Sequence, residues 1–187
     1  MVLTETMKDT ESTSYLVKAG YGLSDDWELY ALLGFSDLSA GDFDGDSQVA
    51  WGFGTKFTFA KNDSVTWGGL FQMVSISSEG SIFADIPPFG LQTIDVDAQL
   101  FDIQIAVGPT YTKEGFSIYG GPFLHFVEGD LEGSALGVTV TLDLEQESVF
   151  GGYVGVQFDL AESSSLFIEY QMTGDASAIA GGIVWRF

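Results

Sequence analysis

Gly181-Gly182-Ile183-Val184-Trp185-Arg186-Phe187 is the stretch whose reading decides the fold. Successive side chains of a strand point to opposite faces. Ile179, Ile183, Trp185 and Phe187 therefore form one apolar, aromatic row, while Ala180, Gly182, Val184 and Arg186 form a second row that is small and carries one charge. A sheet of such strands is greasy on one side and sparsely polar on the other.

The same alternation recurs upstream. Tyr15, Val17, Ala19, Tyr21 and Leu23 lead through Ser24-Asp25-Asp26 into Trp27, Leu29, Ala31, Leu33 and Phe35, the pattern of a hairpin with one apolar face. A second hairpin carries Val49, Trp51, Phe53, Phe57 and Phe59 on that face, turns at 61–64 and returns through Val65, Trp67, Phe71 and Met73. A third runs through Phe101, Ile103, Ile105, Val107 and Tyr111, then back through Phe116, Ile118, Leu124 and Phe126. A fourth runs through Phe150, Val154, Val156 and Phe158, then back through Leu166, Ile168, Tyr170 and Met172. With the terminal strand this makes nine, and residues 1–10 supply a short or truncated first strand. The expectation is an all-β chain, one up-and-down antiparallel barrel domain over residues 1–187, with ten strands and eight as the alternative.

Composition narrows the class. The chain has 27 acids against 6 bases, a net charge of −21, 24 glycines, 4 prolines and no cysteine. No basic stripe exists to neutralise phosphates, which argues against nucleic acid, and thiol chemistry and Cys-ligated metals drop out. No run of eighteen apolar residues marks a membrane helix, but barrel strands escape hydropathy windows because only alternate residues are apolar. A soluble sandwich or lipocalin-like barrel would need charges on its outer row, and the polar row here is mostly glycine. Met1-Val2-Leu3 leads straight into polar residues, so no signal peptide is expected in this sequence, which then reads as a mature or truncated form.

The connections alternate in length. Those near 25, 62, 113 and 163 are short, whereas 37–46, 78–93 and 129–147 read as long loops. Tyr21 with Trp27, Phe59 with Trp67, Tyr111 with Phe116, and then Phe158, Trp185 and Phe187 all cluster beside the short turns, as a girdle at one membrane interface would. Together with the C-terminal strand ending on Phe187, this resembles the small bacterial outer-membrane β-barrel proteins of the outer-membrane protein A, X and W type, over essentially the whole chain. The resemblance implies an integral outer-membrane location in a Gram-negative bacterium, the lipid bilayer as partner, and recognition of the C-terminal strand by the barrel assembly machinery. It implies no cofactor.

Parity places Lys18, Lys56 and Arg186 inside with Glu28, Asp102 and Glu169, three cations facing three anions. The other inner positions are mostly Gly, Gln, Ser, Thr and Tyr, so the expected lumen is polar and largely occluded, although its glycines leave room for a narrow water path. A structural or surface-interaction barrel is the leading functional reading, a narrow porin-like channel the second, and an outer-membrane enzyme the third. His125, the only histidine, is also inside, with Asp102 as its nearest candidate acid; no Ser-His-Asp order is legible, and catalytic residues are not expected.

Asp42, Asp44 and Asp46 have the i, i+2, i+4 spacing that opens calcium loops. The sixth and twelfth positions of that frame are Ser47 and Phe53 rather than Gly and Glu, so an acidic turn is expected, with a divalent cation as the alternative. Ile82, Phe83, Ile86, Pro87, Pro88, Phe89 and Leu91 form an apolar, proline-broken patch in the second long loop, a lid or a partner or ligand surface. Val138, Val140, Leu142 and Leu144 alternate with polar residues, which predicts a strand continuing above the membrane.

Overall fold

A computed structural model describes residues 1–7, 10–40, 43–86, 89–135, 138–145 and 149–185. Its strands are β1 (Val2–Met7), β2 (Thr10–Ser24), β3 (Trp27–Ala40), β4 (Phe43–Asp44), β5 (Asp46–Lys61), β6 (Val65–Ile86), β7 (Gly90–Lys113), β8 (Phe116–Ala135), β9 (Val138–Glu145), β10 (Phe150–Ala161), β11 (Ser164–Met172) and β12 (Ala176–Trp185). Ten of them form the wall, each antiparallel to the next. β8 pairs with β10 from Phe116↔Phe158 to Leu124↔Phe150, and β12 pairs with β1 from Val2↔Gly181 to Met7↔Ala176, so the ring closes. Closure matters in a bilayer, because hydrocarbon offers no partner to an open sheet edge. The tenth strand is β1: it lies between β12 and β2, and the Leu16 N–H donates to the Met1 carbonyl at 2.8 Å.

The outward row is the one the alternation marks. Val17, Tyr21, Leu33, Phe35, Trp51, Phe59, Val154, Leu160, Ile179 and Trp185 are among its exposed members. Short turns at one end join β2–β3, β5–β6, β7–β8 and β10–β11, and three of them carry a register shift on the strand that enters the turn, at Gly22/Ser24, Thr58/Ala60 and Asp159/Ala161. The fourth uses Gly115 at φ 82°, a left-handed conformation that favours glycine. Between β7 and β8 the ladder lapses at Val107–Pro109 opposite Gly120–Pro122. Both prolines lack a donor, and a Cβ on Gly108 or Gly121 would overlap the carbonyl of Gly120 or Val107.

In the long loop expected at 78–93 the chain is instead strand up to Ile86 and again from Gly90, and in 129–147 β8 runs on to Ala135 while the strand expected above the membrane is present as β9. β6 and β7 pair without a shift from Val65↔Tyr111 to Ile86↔Gly90, and β9 continues along β8 from Glu128↔Glu145 to Ala135↔Val138. The strand lengths show how far this goes: β7 has 24 residues, whereas about 9–11 cross a bilayer. β10, β11 and β12 have 12, 9 and 10. The wall is therefore lopsided, with β6–β9 rising well past the bilayer beside three strands that stop near it. Acids and glycines in 78–93 suggested a loop, but the period of two persists through them, and pairing rather than composition decides.

Candidate functional site

Along β2–β8, toward the long-connection end, the inner row is apolar. Leu16, Leu32, Leu38, Ala50, Val74, Ile76, Val96, Ala98, Leu100 and Val127 are buried in one cluster, with Ile82, Ile94 and Leu131 packed on it. The uniformly polar lumen expected from sequence is thus corrected. Leucines and valines at inner parity were outnumbered in the count by glycine and polar residues, yet they gather on adjacent strands and fill the mouth. Ser14 and Ser36 are buried beside them and satisfy each other at 2.9 Å.

Polar and charged side chains fill the rest of the inner row, Glu28 beside the β2–β3 turn and Asp102, His125 and Gln171 nearer the long-connection end. Lys18 Nζ lies 3.1 Å from Glu28 Oε1 and 3.7 Å from the centre of the Tyr30 ring, while Lys56 stands opposite Glu28 in register. The other two expected acids take different partners. Asp102 Oδ1 is 2.9 Å from His125 Nε2, with side-chain exposures of 13% and 7%, and Glu169 Oε1 accepts from Gln171 Nε2 at 2.6 Å. Gln171 in turn accepts from Gln104 at 2.9 Å. Arg186 and Phe187 lie outside the described residues, as does Asp42.

The inner glycines are occupied rather than open. Tyr30, Gly54 and Gln72 stand in one cross-strand row on β3, β5 and β6. A Cβ on Gly54 would overlap the Tyr30 ring, which lies across the glycine so that its hydroxyl donates to Gln72 Oε1 at 3.0 Å. The arrangement repeats on β8, β10 and β11: Tyr119, Gly155 and Glu169 share a row, the Tyr119 ring covers Gly155, and its hydroxyl interacts with the Glu169 carboxylate. Phe123 covers Gly151 in the same way and contacts His125 and Tyr153 at ring distances of 6.0 and 6.5 Å. An aromatic ring laid over a neighbouring glycine restores the packing that the missing side chain would lose. Tyr119, Tyr153, Gln104 and Gln171 are among the inner Tyr and Gln positions to which sequence reasoning gave no task; the signal was present as inner Tyr and inner Gly, and only the cross-strand register unites them.

Of the girdle residues, Tyr21, Trp27, Phe59, Trp67, Tyr111, Phe158 and Trp185 are exposed beside the short turns. Phe116 is half-buried. Trp27 Nε1 donates to Thr55 Oγ1 at 2.7 Å, which gives its one polar atom a partner and leaves the ring outward. Above the outward apolar row the rising strands carry acids in register: Asp46↔Glu79, Glu79↔Asp97, Asp97↔Glu132 and Asp130↔Asp143. A shallow hollow of about 460 Å³ is lined by Asp46, Glu79, Asp95 and Asp97. Among the described residues no group of three or more acids, His or Cys is placed to hold a metal ion.

The fold has known counterparts. The outer membrane protease OmpT of Escherichia coli aligns over 100% of this chain and 92% of its own, with a TM-score of 0.55 at 9% identity. The translocator domain of autotransporter NalP from Neisseria meningitidis aligns over 100% and 85%, with a TM-score of 0.54 at 13% identity. This chain has the fold of an integral outer-membrane β-barrel. No protein-family model and no curated protein matches the sequence. The barrel thus shares its wall with a protease and with a translocator, and identities this low convey architecture alone.

Proposed function

We propose that the barrel is a non-conducting, non-enzymatic outer-membrane protein whose working part is the sheet that β6–β9 raise above the bilayer, with the lumen serving as a rigid core. The observation that carries this is the pair of Tyr-Gly rows. Tyr30 and Tyr119 cross the glycines that would otherwise leave a water path, and Gln104 on β7 reaches Gln171 on β11 past β8 and β10. The apolar cluster at the mouth adds a second closure. Lys18 and Glu28 form an ion pair and Asp102 takes His125 as its partner, which supports a structural task rather than ion selectivity for the inner charges Lys18, Glu28, Lys56, Asp102, Glu169 and Arg186. The His125–Asp102 pair is closely spaced and mostly buried, with the Phe123 ring edge-on at 6.0 Å, which favours a structural task for it over a catalytic one. The aromatic residues beside the short turns, Phe187 included, set the depth of the barrel in the bilayer, and the C-terminal strand is its insertion signal.

Conductance across a planar bilayer tests the reading. Wild-type barrel is expected to be silent, and Tyr30→Ala with Tyr119→Ala, which empties both glycine rows, is expected to give open steps. Reproducible steps from correctly folded wild type would sink the occluded reading.

A further inference from the structure

β9 is an unprotected sheet edge. It pairs with β8 through Val138–Glu145 without a register shift, and among the described residues no strand pairs with its other side. β10–β12 end too low to cover it. Exposed edges in natural proteins are blunted by charged side chains, lysine above all, by proline, bulges or short length. β9 has eight residues, VTVTLDLE, without lysine, proline or a register shift, and its only charges are the two acids at its far end, Asp143 and Glu145. Val138 and Val140 are 63% and 57% exposed, although both are β-branched residues suited to a packed sheet face.

The charge beside this edge is one-sided. Directly opposite pairs include Glu128↔Glu145 and Asp130↔Asp143, and like charges so placed oppose pairing. A strand added to β9 would bring its own residues opposite Asp143 and Glu145, where a base would relieve the repulsion, and others opposite Val138 and Val140, where an apolar residue would cover them.

We infer that β9 takes up an extended segment of a partner protein in which basic and apolar residues alternate, adding a strand to the raised sheet. A second copy of this chain does not fit, because it brings 27 acids and 6 bases to a face that is already acidic. The inference rests on the surface-interaction reading above. Main-chain hydrogen bonds would supply affinity, and the two rows of β9 would supply the choice of sequence.

The test uses the whole barrel in zwitterionic nanodiscs with three synthetic probes. These are an alternating Lys-Val octapeptide, a peptide of the same composition with its lysines grouped at one end, and the alternating peptide N-methylated along one edge. The alternating peptide is expected to bind at least about tenfold more tightly than the N-methylated one, as the loss of two or so net hydrogen bonds implies, and more tightly than the grouped one, whose lysines and valines cannot meet the acids and the valines of β9 in one register. It is also expected to slow amide exchange in residues 138–145. Val138→Lys with Val140→Lys should abolish both effects while the barrel still shifts on boiling in gels. Equal binding of all three peptides with no protection of β9 would reduce the interaction to unspecific charge attraction and overturn the inference. A barrel that conducts would refute the occluded reading and leave these binding outcomes unaffected, so the two failures are distinguishable.

Discussion

Gly155→Ala is the sharpest probe of the closed lumen. The added Cβ would sit 2.6 Å from Tyr119 Cε2 and closer still to Cζ and the hydroxyl, and these ring atoms are its three nearest neighbours. The backbone can therefore stay in place while the ring must leave its seat. Overpacking of this kind costs about 1–3 kcal/mol, and drawing the Tyr119 hydroxyl away from Glu169 adds about 1 kcal/mol. Urea unfolding of the barrel in micelles, followed by tryptophan fluorescence and by the mobility of unheated protein, should show a loss of about 2–4 kcal/mol without a change in slope. The decisive variant is Gly155→Ala in a Tyr119→Ala background. With the ring absent the methyl group has nothing to displace, so Gly155→Ala should cost little there, a coupling of about 1–3 kcal/mol. If Gly155→Ala is neutral in wild type, or equally costly in both backgrounds, Tyr119 does not occupy the glycine and the argument for occlusion fails.

Gly115→Val should destabilise the β7–β8 turn by about 1–2 kcal/mol, the cost of a left-handed conformation for a residue with a Cβ. Gly22→Ala, whose Cβ would meet only the Ser24 carbonyl at 3.7 Å, should be near neutral in the same unfolding assay. His125→Ala leaves the Asp102 carboxylate without its 2.9 Å partner, so unfolding should become easier by about 1–3 kcal/mol. Asp102→Asn on top of it should recover part of that loss; if His125→Ala costs nothing, the pair has no structural task.

How much of this was legible in the sequence varies by feature. Period-two alternation identified the wall strands and their outward rows, because side-chain direction in a strand is a local property. It gave ten strands, with the first in residues 1–10, since an up-and-down barrel needs an even number. It failed at residues 78–93, where Glu79, Gly80, Asp85 and Pro87 suggested a loop although the alternation of Ser78, Gly80 and Ile82 with Glu79, Ser81 and Phe83 runs on. Parity also brought Asp102 and His125 to one face, with Asp102 as the nearest candidate acid, and the cross-strand register is what sets the two 2.9 Å apart.

The sequence alone determined which face of each strand meets lipid, and with it the membrane-barrel class announced by Trp185 and the strand that contains it. Only the tertiary structure decided what fills the barrel and what stands above it. Tyr119 covers Gly155, and Tyr30 covers Gly54, because two strands distant in sequence are in one particular register. Period two is unchanged by sliding a strand two residues along its neighbour. Alternation fixes the face of every residue, and only pairing fixes its neighbour.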